Sequence, residues 1–283
     1  SSLNSSLTFN ADREDLSIST SLKVYEDLTK PSTDRYEYVY PNFNIKKELG
    51  MIDVFNSNLS FETSGYQKKY NTNVYEAVII NNLLFESKEM FTTRGFKNNF
   101  KYLIKNVNSE AENSSVYKNN MENELLSLFS FETSYPLKKI GNNSESYLTP
   151  ILSFRFSPNK TKNIVNDDRR MDISNIYSLN RIGKSDTVEG GESITIGGNY
   201  KKFDDNNNEL MSLDLAQVYR FNENKDLPLK STIGNKSSDL VGNFAIRPNK
   251  YLKFNYDFSF DNNLDRSNYD SMKADITVNK FVT

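Results

Sequence analysis

A chain of 283 residues with a formal net charge of -2 and a pI near 5.5 lacks the basic surface that binding to nucleic acid requires. It holds no cysteine and no histidine, which removes disulfides, thiolate chemistry, Ser-His-Asp catalysis and imidazole metal ligation from this stretch. Mean hydropathy is -0.67 and no run nears the ~18 consecutive apolar residues of a membrane helix. A transmembrane β-barrel is not excluded, because it turns only alternate residues toward lipid. The 17 Tyr and 19 Phe, with no Trp, suit half-buried strands and a water–lipid boundary.

The first residues, Ser-Ser-Leu-Asn, show neither a charged n-region nor an apolar h-region. The last five, Asn279 to Thr283, stop within strand-like sequence, so a segment of something longer is expected. Between them, period-two alternation dominates. Leu16, Ile18, Leu22 and Val24 alternate with Ser17, Ser19, Ser21 and Lys23. Weaker strand patterns follow at 35–47, 51–64, 74–87, 96–106 and 124–135. Leu148, Pro150, Leu152, Phe154 and Phe156 share a face, alternating with Tyr147, Thr149, Ser153 and Arg155. Another weak strand at 193–203 precedes a face of Met211, Leu213, Leu215, Tyr219 and Phe221, and a further one lies at 239–248. The clearest strand sets Leu252, Phe254, Tyr256, Phe258 and Phe260 against Lys253, Asn255, Asp257, Ser259 and Asp261, a pattern a helix would scatter around its circumference. Ala274, Ile276 and Val278 close the series.

That makes about twelve strands, many near the ~9–11 residues needed to cross a bilayer at a tilt. Turn chemistry at Lys30-Pro31-Ser32, Leu49-Gly50, Gly141-Asn142-Asn143, Asp204 to Glu209 and Asp261-Asn262-Asn263 makes the series an antiparallel meander. Connections at 106–123 and 157–192 are too long for tight turns. Residues 1–283 are read as part of one all-β domain, an incomplete, open up-and-down transmembrane β-barrel. A soluble β-sandwich would also alternate; the run of consecutive hairpins, the long strands and the charged polar faces favour the barrel. Pro41, Pro136, Pro150 and Pro248 mark edges, bulges or strand ends, since proline removes a ladder donor.

Few segments invite chemistry. Asp204-Asp205-Asn206-Asn207-Asn208-Glu209 lacks the spacing and the mid-loop glycine of a calcium loop and reads as a hairpin tip. Gly190-Gly191 and Gly197-Gly198 precede no helix and are no phosphate cradle; the second pair, within a strand, signals a bulge, a bend or close backbone approach. The cluster Asp167-Asp168-Arg169-Arg170 to Asp172 is either a solvated loop or a loop held in place by Arg–carboxylate pairs. No cofactor or metal is expected.

Two stretches are more specific. One runs through Asn166-Asp167-Asp168, Asp172, Asn175-Ile176-Tyr177-Ser178-Leu179-Asn180-Arg181-Ile182-Gly183, Asp186, Glu189 and Gly197. The other runs through Leu227-Pro228-Leu229, Ser231, Gly234 and Lys236-Ser237-Ser238-Asp239-Leu240-Val241-Gly242. With Tyr147-Leu148-Thr149-Pro150 and Phe156-Ser157-Pro158, they resemble the barrel of the lipopolysaccharide-assembly family LptD (also called OstA or Imp) in order and spacing over roughly 140–283. The resemblance implies the wall of an outer-membrane, non-enzymatic translocon that inserts lipopolysaccharide into the outer leaflet. It implies partners as well: lipopolysaccharide, outer-membrane lipids, the plug lipoprotein LptE, and a periplasmic bridge reached through a jellyroll domain that this sequence does not contain. Asp172, Asn180, Arg181, Asp186, Glu189, Ser238 and Asp239 match the family motif by position, and their polarity points to a role lining the lumen or packing its loop cap, whereas Leu252, Phe254, Tyr256, Phe258 and Phe260 are expected to face lipid. A porin-like diffusion channel and a soluble β-sheet adhesin or binding module are the alternatives.

Overall fold

A computed structural model describes residues 2–53, 56–249 and 251–277. It is all-β, with fifteen strands, antiparallel throughout, and no α-helix among the described residues. Two strands, β6 (Met90–Phe91) and β9 (Leu137–Ile140), are short side pieces, which leaves thirteen of length. Thirteen against about twelve expected is explained by β1 (Ser2–Asp12), which pairs with β2 (Leu16–Asp27) along its whole length. Its apolar residues, Leu3, Leu7 and Phe9, share one face, but Ser5 interrupts the alternation that would announce a strand.

The chain divides into two compact units. The first comprises Ser1–Lys88, Lys101–Ser127 and Ser185–Thr187. Here β1 and β2 are followed in the ladder by β3 (Tyr36–Ile52), β4 (Ser57–Tyr70), β5 (Tyr75–Ser87) and most of β7 (Lys97–Glu112). The expected turn at Leu49-Gly50 is instead a β-bulge: Gly50 takes φ +103° at a register shift, and the strand continues to Ile52. A bulge residue in left-handed space carries the same glycine signature as a turn. Pro41 also lies at register shifts, where β3 skips ladder positions against both neighbours.

β7 runs to Glu112, well into the segment expected to be a loop from 106 onward. Its extension is polar on one face, where Asn106 joins Asn81 at 3.3 Å and the carbonyl of Glu124 at 3.3 Å. On the other face Val107, Ser109 and Ala111 are buried. Asparagines that bond across strands keep the ladder where alternation alone suggests a loop.

The second unit comprises Glu89–Phe100, Leu128–Lys184 and Val188–Thr283. Its ladder runs from the part of β8 (Glu122–Ser134) that begins at Leu128 through β10 (Ser144–Ser157), β11 (Gly191–Asp204), β12 (Glu209–Arg220), β13 (Leu240–Asn249) and β14 (Leu252–Phe260) to β15 (Ser267–Ile276). Val278 and Asn279 of the last expected strand lie outside the described residues. Pro150 sits where the partner of β10 changes from β9 to β8, and there its carbonyl accepts the Tyr135 N–H at 3.1 Å. Pro248 falls at a register shift against β14. The β11–β12 hairpin closes on itself: Asp204 Oδ1 accepts the N–H groups of Asn206 (2.9 Å) and Asn208 (2.8 Å), with Asn207 at φ +59°.

The two faces of this second sheet differ in an unusual way. On one, Ser153, Arg155, Thr195, Ala216, Val218, Val241 and Ser259 are buried. On the other, Leu152 (44 %), Ile196 (52 %) and Phe254 (45 %) stand exposed. The buried face is called the inner face below.

Candidate functional site

What buries the inner face is a pair of loops. The first, residues 158–190, connects β10 to β11; the second, 221–239, connects β12 to β13 and includes a 3-10 turn at Leu229–Ser231. The length of the second loop was not anticipated, although the gap between the strand patterns at 222 and 239 was its signal. Ile164, Met171, Ile176 and Ile182 of the first loop join Leu227 and Ile233 of the second over Ala216, Val218 and Val241 of the wall in one apolar cluster. Gly197 makes the close approach possible: a Cβ there would stand 2.2 Å from the Tyr177 hydroxyl and 2.4 Å from the Leu215 carbonyl oxygen. Of the bulge, bend or close approach that Gly197-Gly198 signals, the structure shows a close approach at Gly197.

At the base of the first loop lies a buried charge cluster. Glu189 (2 % exposed) accepts two hydrogen bonds from Arg181 (1 % exposed), Nε to Oε2 and NH2 to Oε1, both 2.6 Å. Arg220 donates to Glu189 Oε1 at 2.5 Å and to the Gly190 carbonyl. Arg155 stands 4.0 Å from Glu189 and donates to the carbonyls of Leu179 (2.5 Å) and Ser178 (2.6 Å). Arg181 spends its remaining donors on Thr195 Oγ1 (3.0 Å) and Ser193 Oγ (2.8 Å) of β11 and on the Ile176 carbonyl (3.4 Å). Thr161 Oγ1 accepts the Gly190 N–H at 2.8 Å and the Asn224 side-chain amide at 2.9 Å, which ties the second loop to the same place. Three guanidiniums thus surround one carboxylate out of water, a geometry that holds a loop down.

Burial alone would raise the Glu189 carboxyl, but Arg181 first, then Arg155 and Arg220, outweigh it and hold it down to about 2. A carboxyl depressed in the folded state adds stability above its unfolded value, near 4.3, and that stability is lost as pH falls toward about 2. We therefore expect the 158–190 loop to resist pepsin at pH 4 and to become cleavable only as pH approaches 2. Release at pH 5, where Glu189 is charged in either state, would contradict this assignment.

The other expected site residues separate into groups. Asp172 is exposed and caps its own turn, its Oδ1 accepting from Ser174 N (2.8 Å) and Asn175 N (3.1 Å). Asn180 is exposed, and its carbonyl receives the Gly183 N–H at 3.2 Å. Asp186 belongs to the first unit, where it accepts the Tyr117 hydroxyl at 2.8 Å, while Lys105 Nζ of β7 donates to the Ser185 carbonyl at 2.5 Å. Ser238 extends the β12 ladder: its N–H donates to the Val218 carbonyl and its Oγ accepts the Val218 N–H, both 2.9 Å. Asp239 Oδ2 accepts from Ser259 Oγ (2.9 Å) and Asn268 Nδ2 (2.8 Å). Arg181 and Glu189 come together through their side chains, and the Ser238 hydroxyl donates to the Asp239 carbonyl at 2.8 Å. In the cluster from Asp167 to Asp172, Asp167 pairs with Lys184 (2.9 Å), Asp168 pairs with Lys230 (2.8 Å) and Arg169 donates to the Arg181 carbonyl (2.8 Å). Its own arginines and carboxylates do not clamp the loop.

Of the residues expected to face lipid, Phe254 is exposed and Leu252, Tyr256, Phe258 and Phe260 are half-buried. The rings of Tyr256, Phe258 and Phe260 follow one another at 5.3 and 5.1 Å, and Phe258 lies over Gly242, whose missing Cβ makes room for it.

The sequence profile of the LptD family, described as LPS transport system D, matches residues 1–283. The chain belongs to the LptD family. No curated protein matches it. Family membership makes it a component of lipopolysaccharide transport to the outer membrane, and the antiparallel meander suits an outer-membrane β-barrel protein.

Proposed function

We propose that this chain forms part of the wall of an outer-membrane lipopolysaccharide translocon and that its role there is non-catalytic. Acyl chains and membrane lipid lie against the outer face, where Leu252, Phe254, Tyr256, Phe258 and Phe260 stand. The saccharide passes on the inner side, past the two docked loops. The observation that carries this reading is the inverted sheet of the second unit, which buries serine, threonine and arginine and exposes leucine, isoleucine and phenylalanine. A sheet in water does the reverse, and an exposed apolar surface of this kind marks a lipid or partner contact. The docked loops count against an open diffusion channel, because they occupy the face that would have to be wet. The plug lipoprotein LptE and a periplasmic bridge reached through a jellyroll domain are the partners this role requires.

Photo-crosslinking tests it. A photoreactive residue at Phe254 of the intact protein should capture acyl chains, and one at Asn243 on the inner side should capture the saccharide of lipopolysaccharide in transit. Ion conductance in planar bilayers with no lipopolysaccharide adduct at either position would replace the translocon with a porin-like channel.

A further inference from the structure

Asp239 and its surroundings form a second feature that the loop clamp does not use. A cavity of about 300 Å³ opens between the first loop, the second loop and the β14–β15 turn, with Arg170, Lys230, Arg266, Asp239, Asn268 and Tyr269 around it. Three cations and one carboxylate make its wall positive. The carboxylate is already engaged, since Asp239 Oδ2 holds Ser259 and Asn268.

Each cation is presented in its own way. The Arg170 guanidinium lies over the ring of Tyr269, 4.4 Å from its centroid, and donates no hydrogen bond among the described residues. Stacking fixes the plane of the fork and leaves its N–H edges open. Arg266 is oriented by a relay: its Nε donates to Asn268 Oδ1 at 3.1 Å, and the same amide donates onward to Asp239. Its terminal N–H groups have no partner among the described residues. Lys230 is shared with the exposed Asp168 at 2.8 Å. Two preoriented guanidinium forks and an ammonium converging on one cavity match a compact, multiply charged oxyanion.

We infer that this pocket binds a phosphate monoester, borne by a saccharide. The charge of such a group, about -2 near neutral pH, is opposite in sign to the excess of the wall, and the cavity leaves room for part of the sugar that carries it. On the transport reading above, on which this assignment rests, the phosphorylated sugars of lipopolysaccharide are the source; free phosphate is the other source of the same chemistry.

The test uses the intact protein in zwitterionic detergent at low salt, because exposed charges are screened at high ionic strength. Three probes are titrated calorimetrically: a bis-phosphorylated glucosamine disaccharide, its dephosphorylated counterpart and inorganic phosphate. The phosphorylated disaccharide should bind, and R170Q/R266Q should weaken it about tenfold. The dephosphorylated disaccharide should bind weakly to wild type and variant alike. Tyr269→Phe keeps the stacking ring and should bind as wild type, whereas Tyr269→Leu should bind like the double variant. Lys225→Gln, on the second loop outside the pocket, controls for loss of charge. Binding of inorganic phosphate as tightly as the disaccharide would support the site and make free phosphate its ligand. Failure of every phosphorylated probe, or binding indifferent to R170Q/R266Q, overturns the assignment. Surface delivery of lipopolysaccharide in cells is followed in parallel. Delivery without probe binding sinks the pocket alone, and probe binding without delivery sinks the transport reading alone.

Discussion

Glu189→Gln should destabilise the folded protein by on the order of 3–5 kcal/mol and free the first loop. The side chain is isosteric, so no cavity forms; what changes is charge. In the native cluster one carboxylate serves Arg181 and Arg220 directly and Arg155 at 4.0 Å. Glutamine offers a single neutral acceptor and points an amide N–H₂ toward a guanidinium, leaving three buried cations with no counter-charge. The measurable results are a lowered urea midpoint and rapid tryptic cleavage within 158–190, where Lys160, Lys162, Arg169, Arg170, Arg181 and Lys184 supply the sites. Removing charge from both sides, as in R181M/E189M, should do less damage than Glu189→Gln alone, because apolar side chains of similar volume can replace a buried pair. Arg220 keeps the carbonyls of Gly190 and Asn222 in that background. Wild-type stability in Glu189→Gln would mean that the cluster is incidental.

Ile233→Ala should cost about 2–5 kcal/mol, the range for truncating a fully buried aliphatic side chain. Ile233 is 0 % exposed and packs in the cluster that joins the second loop to the first and to the wall. Its loss should therefore loosen both loops, so protease cuts should appear in 158–190 as well as near the substitution. Leu229→Ala, four residues away and 70 % exposed, should change stability by no more than about 0.5 kcal/mol. If Ile233→Ala exposed the second loop alone, the two loops would be independent flaps and not one plug.

The strands were legible because their cause is local. Phe254, Tyr256, Phe258 and Phe260 announce β14 by spacing alone, and Gly197 inside a strand pattern announced the close approach that Tyr177 makes. Arg181 and Glu189 lie eight residues apart in one loop and carry a family motif, so both could be named before any coordinates. Arg155 and Arg220 could not be found that way. They meet Glu189 because register aligns Arg155 with Ser193 and Ser193 with Arg220 across β10, β11 and β12. Register is a pairing property of whole strands, and nothing adjacent to either arginine encodes it. Polarity suggested a lumen-lining or loop-packing role for Asp172 and Asn180; the Asp172 side chain bonds the backbone of its own turn and the Asn180 backbone carbonyl receives the Gly183 N–H, contacts that a short polar residue makes as readily as distant ones. Asn108 erred in the opposite direction, reading as loop while extending β7.

Site-directed spin labelling tests the orientation of the wall most directly, and a chain with no cysteine of its own accepts single labels cleanly. Leu148 and Thr149 are neighbours on β10; Ile196 and Asn199 share β11. With the intact protein in a bilayer, labels at Leu148 and Ile196 should relax with lipid-dissolved oxygen, while labels at Thr149 and Asn199 should be shielded from it and respond to aqueous nickel chelate or to neither. Oxygen contact at Thr149 and Asn199 with aqueous contact at Leu148 and Ile196, or aqueous contact at all four, would contradict a wall whose apolar face meets the membrane.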